Sequence, residues 1–310
     1  MVNCKVCDKE FKSEKSLHAH IKCHDLRLAE YYQKFHARRD LFSGDLIKFK
    51  SKEYYLSTDF NNRTNLRKWL ENQADDEKKK YCEKILKARI KKKNLFYAPS
   101  QVDLRSVMSP PVQYYNRVFG DYNDLCNELG LKNKFDKLTD EAIEETKPPE
   151  DCKIYIDTRE QKPFKFDVPF EIKTLKFGDY ALSDKKVSGN CYIERKSLND
   201  FIGTMSGGYD RFRREIERAI TEDAYLVVLV ERCIEEAMNF NKLPYVSSKI
   251  RATPEYIFNR VRSLNQDFKN IQFLFAKTKT EAMRLCKKMF FSNQCFKKRD
   301  LQLAYDLKML

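Results

Sequence analysis

From Lys153 to Phe291 short apolar runs alternate with amphipathic helical patterns, and that alternation leaves few architectures open. KIYIDTRE reads as a buried strand. FEIKTLKFGDYAL reads as an alternating strand, a glycine turn at Gly178 and the entry to another, and CYIERK as a third. A helix is predicted from near Ser197, then the basic amphipathic helix YDRFRREIERAI, the apolar strand AYLVVLVE, a helix opened by Thr253 and Pro254, the strand IQFLFA, and a helix opened by Thr278 and Glu281. Strands separated by helices over this length build an α/β domain on a central mixed sheet flanked by helices. Upstream, residues 135–151 are acidic and contain Lys147-Pro148-Pro149-Glu150, which neither a helix nor a central strand tolerates. A linker is expected there, with the α/β domain occupying 152–310.

The strand ends carry the chemistry. Asp157 and Glu160 follow the first strand, Asp179 enters the next, and Glu194 and Lys196 share one face of the third because strand side chains alternate. Hard carboxylate oxygens suit Mg²⁺, which keeps several waters, polarises a phosphate and lowers the pKa of an attacking water. A lysine beside them orients that water or offsets charge building on the phosphorane. All four histidines, His18, His20, His24 and His36, precede this domain, so its acid–base chemistry falls to carboxylates, lysine or tyrosine and histidine-metal nucleases are disfavoured.

An aspartate followed by Glu-x-Lys is the general pattern of restriction-endonuclease-like nucleases. The longer string G-D-x14-E-R-K-x3-D from Gly178 to Asp200, preceded by D-T-R-E at 157–160, resembles the nuclease domain of the XPF-type structure-selective endonucleases, and the likeness runs over residues 152–291. That resemblance implies cleavage of branched, flap or junction DNA with Mg²⁺ or Mn²⁺, a setting in DNA repair or recombination, and a homodimer built partly on this domain. It makes Asp157, Glu160, Asp179 and Glu194 metal ligands, with the Arg195 backbone carbonyl as a further one, and Lys196 the catalytic lysine. Arg159 and Asp200 become supporting groups, and Arg211, Arg213 and Arg214 on the next helix phosphate contacts. Asp167 and Asp184 are bland surface carboxylates beside these. Two departures stand out. Family members usually carry paired helix-hairpin-helix modules after the nuclease, whose hairpins need glycine, yet no glycine follows Gly208. No phosphate loop of a helicase is present either, so DNA engagement is expected from the N-terminal half.

That half begins C-x2-C-x12-H-x3-H, with Cys4, Cys7, His20 and His24 as ligands and Phe11 and Leu17 filling a miniature core. Four such ligands suit tetrahedral Zn²⁺ in a closed, structural shell. The segment 1–25 resembles a ββα Cys2His2 zinc finger, and Cys23 beside His24 is an alternate ligand. The helix positions that read bases are Ser13, Ser16 and Ala19, too short for the bidentate contacts that discriminate bases. Docking on phosphates through Lys12, Lys15 and Lys22, or on a protein, is expected instead. Residues 26–134 form a basic, mostly helical DNA-binding module. A helix starts at the acidic 75–77 and ends in Lys87, Arg89, Lys91, Lys92 and Lys93, a candidate phosphate-binding face. SPPVQYYNRVFGDYNDLCNELGL resembles the helical repeats that accompany homing endonucleases, through Phe119, Gly120, Tyr122, Leu129 and Gly130.

Charge agrees with a polyanionic partner. Lys and Arg exceed Asp and Glu by 28 to 18 in residues 1–134 and by 30 to 21 in 152–310, around an acidic joint with 2 against 7. Scattered cysteines, a polar start and the lack of a long apolar run point to a soluble intracellular protein with no membrane partner: host cytoplasm for a virus or phage, nucleus for a eukaryote. Small modules and a shortened architecture lean towards a virus or mobile element. Two alternatives accompany the nuclease reading: a sequence-specific homing-type endonuclease, and a non-catalytic DNA-binding or recruiting protein that keeps the scaffold. Degenerate partners of the latter kind lose site residues, and none is missing here.

Overall fold

The computed structural model describes residues 1–247, 249–292 and 294–310. The chain divides into two compact units, Met1–Cys82 with Met108–Pro110, and Glu83–Val107 with Pro111–Leu310. This division differs from the expected boundaries after residues 25 and 134, and the packing of each unit explains why.

In the first unit Val2–Asn3 (β1) pairs antiparallel with Glu10–Phe11 (β2), followed by the helix Glu14–Ile21 (α1). Ser13 caps α1, its hydroxyl accepting the Ser16 N–H at 3.2 Å. Leu28–Phe35 (α2), Lys52–Ser57 (α3) and Arg63–Glu71 (α4) come next, and the boundary falls inside Asp75–Lys93 (α5). The first 25 residues are not a closed module. Leu17 and Ile21 of α1 bury with Tyr31, Tyr32, Ile47 and Tyr55 in one core, and the Tyr31 hydroxyl accepts the Lys5 N–H at 2.8 Å. So small an element has little core of its own, and it shares one with the following residues up to Tyr55.

In the second unit the short helices Gln101–Arg105 (α6), Val112–Phe119 (α7) and Tyr122–Glu128 (α8) precede the sheet. The α7–α8 turn is the expected one: Gly120 ends α7 at φ +85°, and Asp121 caps α8. These helices pack within the second unit, on the domain that carries the sheet. Asn265 donates to Asp103 at 2.9 Å, and Arg105 pairs with Asp306 at 2.6 Å. The buried Lys134 ammonium donates to the carbonyls of Asn265, Phe268 and Ile271 at 3.4, 3.0 and 2.5 Å.

The sheet contains Ile154–Ile156 (β3), Phe170–Ile172 (β4), Tyr180–Leu182 (β5), Cys191–Lys196 (β6), Tyr225–Val230 (β7) and Ile271–Phe275 (β8), with Lys185–Ser188 (α9) before β6. Its order is β4-β3-β5-β6-β7-β8; β5 runs antiparallel to β3 and β6, and the other pairs are parallel, giving the expected mixed sheet. Leu198–Met205 (α10), Tyr209–Thr221 (α11), Ile234–Ala237 (α12) and Pro254–Asp267 (α13) bury on the face that carries Ala181, Tyr192 and Val228. Lys279–Phe290 (α14) and Leu301–Asp306 (α15) cover the other face, with Tyr180, Ile193 and Val227. β7 is buried throughout because both faces are covered.

Residues 135–151 form no helix or strand, in keeping with Pro148 and Pro149 towards their end, but they are not a loose linker. Ile143 is buried in the second core, its N–H donating to Met309 O at 2.7 Å, and Thr146 N–H reaches Phe291 O at 2.6 Å. No helix among the described residues is long and apolar enough to cross a membrane.

Candidate functional site

Three neighbouring strands bring the predicted carboxylates to one face. Tyr155 on β3, Ala181 on β5 and Tyr192 on β6 all pack towards α10, α11 and α13. Asp157 is two residues after Tyr155, Asp179 two before Ala181, and Glu194 and Lys196 two and four after Tyr192, so strand alternation puts all four on that same face, the first two just outside their strands and the last two at the end of β6. Backbone bonds fix the register: Asp157 N–H donates to Asp179 O at 2.9 Å, and Asp179 N–H to Ile193 O at 2.8 Å. Gly178 makes this approach possible. Its φ is +60°, and a Cβ there would stand 2.9 Å from the Ile193 carbonyl oxygen.

Each acid has its own environment. Asp157 is fully held by the chain: Oδ1 accepts Arg159 Nε at 2.6 Å and Arg159 N–H at 2.9 Å, while Oδ2 accepts Leu175 N–H at 2.7 Å. Burial raises its pKa, but those donors outweigh burial and the carboxylate stays lowered. Asp179 is the opposite case. Burial and the adjacent Glu194 carboxylate push it up to about 7, against the single Arg195 N–H bond at 2.8 Å and the Lys196 charge. Glu194 is buried and paired with the Lys196 ammonium. Burial disfavours the charge on Lys196, yet Glu194 and Asp179 outweigh that and raise its pKa.

Glu160 sits at the rim, accepting Lys162 N–H at 2.9 Å, with Arg195 Nη1 3.3 Å away. Arg195 points to the opposite face from its neighbours. It stacks 4.8 Å over Phe164 and is gripped by Glu231 at 2.7 and 3.2 Å. Asp200 is not brought into the cluster: its carboxylate accepts the Ser197 hydroxyl at 2.6 Å at the start of α10. On α11, Arg211 and Arg214 are exposed, whereas Arg213 is engaged by Asp267 and by Glu217, 3.2 Å away. Lys91, Lys92 and Lys93 are exposed at the end of α5, where Lys93 donates to Asn259 at 3.3 Å. Asp167 and Asp184 are spent elsewhere, on Lys287 at 2.9 Å and on capping α9.

Sequence reasoning missed Glu215. It is half-buried on α11, beside the stripe of Phe212, Ile216 and Ala219, and burial and Glu194 raise its pKa while Lys196 and Arg159 lower it. The i, i+4 spacing from Arg211 was the signal that α11 turns this carboxylate, not only arginines, towards the site. Glu231, the brace of Arg195, was hidden as the last letter of an apolar strand.

The donor set fits a divalent cation. It is all oxygen, and after burial the Glu194 charge is what raises Asp179 and Glu215, a repulsion that a cation would relieve. The finger's ligands are gathered more tightly. Cys4 Sγ is 3.5 Å from His24 Nε2, Cys7 Sγ 3.3 Å from His20 Nε2, and the two Nε2 atoms are 3.1 Å apart. Among the described residues this is the one group of three or more such ligands lying within 4.8 Å of one another. Cys23 stands outside it, 3.3 Å from the other nitrogen of His20. Ser13 and Ser16 bond each other at the helix start, 3.0 Å apart.

Residues 156–289 match the ERCC4 domain family, and residues 2–22 match a family described as zinc-finger double-stranded RNA-binding. No curated protein matches the chain. Among solved structures, XPF from Aeropyrum pernix aligns at 19% identity and a TM-score of 0.33, over 44% of this chain and 64% of that one. The same protein in complex with DNA aligns at 20% identity and 0.35, over 50% and 72%. The chain thus spans less than two thirds of the first neighbour's length. Residues 156–289 are an ERCC4 domain, the XPF-type nuclease domain, and the chain joins it to an N-terminal Cys2His2 zinc finger.

Proposed function

We propose that the protein is a metal-dependent DNA endonuclease acting on branched, flap or junction substrates. The observation that carries this reading is the convergence of Asp179, Glu194 and Lys196 on one sheet face, with Asp157 beside them and Asp179 raised to about 7 by burial and its acidic neighbour. Asp179, Glu194 and, once released by their cationic partners, Asp157 and Glu160 would hold Mg²⁺ or Mn²⁺. Such an ion supplies charge neutralisation at the phosphate and a more acidic bound water. The chain's own part is then the work of Lys196, whose ammonium lies where it can face a phosphate oxygen or the attacking water. Exposed Arg211 and Arg214, with Lys91 and Lys92, offer phosphate contacts.

The finger's role is sequence-independent docking on a double-stranded nucleic acid, through Lys12, Lys15 and Lys22 on its exposed surface. A homodimer through the ERCC4 domain completes the reading, with sedimentation as its check. The central test is cleavage with Mg²⁺ of flap, splayed-arm and linear duplex DNA beside Asp179→Ala. Identical products from both proteins would sink the enzymatic claim and leave a DNA-binding scaffold. A single cut in a long duplex would favour the homing-type alternative.

A further inference from the structure

In Met1–Cys82 the exposed large apolar side chains concentrate in one loop: Leu41 is 50% exposed, Phe42 38% and Leu46 43%. This loop is not slack. The Asp40 carboxylate is buried and accepts Phe42 N–H at 2.9 Å, Ser43 N–H at 3.1 Å, Asn61 N–H at 2.6 Å and Asn65 Nδ2 at 2.8 Å. Burial raises its pKa, but those four donors prevail and hold it down. Asp40 N–H also donates to Asp45 O at 2.8 Å, Gly44 N–H to Asp40 O at 2.9 Å, and Arg39 Nη1 to Gly44 O at 2.9 Å. Arg39 pairs antiparallel with Leu46, which closes the hairpin at Gly44, φ +74°. A rigid hairpin therefore holds apolar side chains out in water, where burial in the unit's own core would have been favourable.

The cations beside the tip indicate what covers it. Arg39, Lys48 and Lys68 are exposed, and Lys68 Nζ lies 5.6 Å from the Phe42 ring centroid; Asp45 is the exposed carboxylate of the hairpin. Residues 38–68 carry 8 Lys and Arg against 4 Asp and Glu, of which Asp40 is buried. Cations that neutralise phosphates around an apolar side chain that enters a base step are the means by which proteins wedge DNA. Unstacking an intact step is costly, whereas a nick, flap or branch point is already unstacked.

We propose that the hairpin Arg39–Leu46 is a DNA wedge: Phe42, with Leu41, stacks on an exposed base at a branch point while Arg39, Lys48 and Lys68 hold the flanking phosphates. The proposal rests on the reading of the chain as a DNA nuclease and adds how a branch is found. Its test uses the full zinc-loaded chain carrying Lys196→Met, so that binding is followed without cutting; whether the unaltered protein cuts is scored separately. The probes are a flap DNA with 2-aminopurine at the branch and a continuous duplex of the same sequence. The Lys196→Met protein should raise the branch fluorescence and prefer the flap. Adding Leu41→Ser and Phe42→Ser should abolish the rise and cost about tenfold in flap affinity, with duplex affinity held. Phe42→Tyr, which keeps a ring, should retain both. A persistent rise in the serine variant, equal weakening on flap and duplex, or failure of the tyrosine variant overturns the wedge. A flap preference that survives the serine substitutions does the same.

Discussion

The finger's ligand group and the carboxylate cluster of the ERCC4 domain are built on opposite principles. In the finger, Cys4, Cys7, His20 and His24 stand together with the ligand atoms already in contact, and Cys23 alone among the described cysteines approaches them, 3.3 Å from the other nitrogen of His20. In the ERCC4 domain each carboxylate has a cationic or N–H partner of its own: Arg159 on Asp157, Lys196 on Glu194, Arg195 on Glu160. A closed shell serves folding, since its ligands need never let go. An open set of exchangeable oxygens would suit the turnover proposed above, since each partner that leaves a carboxylate leaves room for a cation, a water or a phosphate.

The largest expected effect breaks the closed site. Zinc binding in such fingers amounts to about 10 kcal/mol of folding free energy. Because Leu17 and Ile21 share a core with Tyr31 and Tyr55, Cys7→Ser or chelation should unfold Met1–Cys82 and leave the ERCC4 unit's melting transition in place. Calorimetry that finds the first transition unchanged without zinc would refute this. Next is the open site: Lys196→Met should keep the fold and lower the cleavage rate by about 10²–10⁴-fold. Single-turnover rates within about tenfold of the parent would remove Lys196 from the chemistry.

A third effect is a control on pH, away from both sites. Burial pushes Asp300 up to about 6, against N–H bonds from Gln101 and Leu303. Its folded pKa lies above the unfolded value, so the associated stability is present below about 4 and is lost as pH rises through about 6, by roughly 3 kcal/mol. Asp300→Asn should flatten urea-derived stability across that window; an unchanged slope would assign the titration elsewhere. The smallest effect sharpens the comparison. Glu215→Gln removes a charge near Glu194 and Lys196 without touching the fold, and should raise the Mg²⁺ concentration for half-maximal cleavage by about tenfold. An unaltered Mg²⁺ titration would make Glu215 a bystander.

Much of the sheet was legible because its cause is local. Alternation and apolar runs mark β5 to β8, and Thr253 and Thr278 cap their helices as their positions predict. The motif spacing from Gly178 to Asp200 put Glu194 and Lys196 on one face and Asp179 at the entry of a strand, since strand periodicity and the glycine turn are written in adjacent letters; that Asp179 joins the same face came from the register. Asp200 shows the limit: a motif letter can be spent on a helix cap. What stayed hidden depends on distant packing. Nothing in residues 135–151 announces that Ile143 is buried, and nothing in α6 announces Asn265 as the partner of Asp103, because those partners lie more than a hundred residues away.

Lys134 has a consequence for anyone dividing this chain. Its ammonium satisfies three carbonyls where α13 ends, so a fragment started at residue 152 would leave those oxygens without their donor, together with an Asp306 stripped of Arg105. The smallest piece that keeps the nuclease sheet properly clad begins near Glu83, and the helical repeat travels with it as part of the wall.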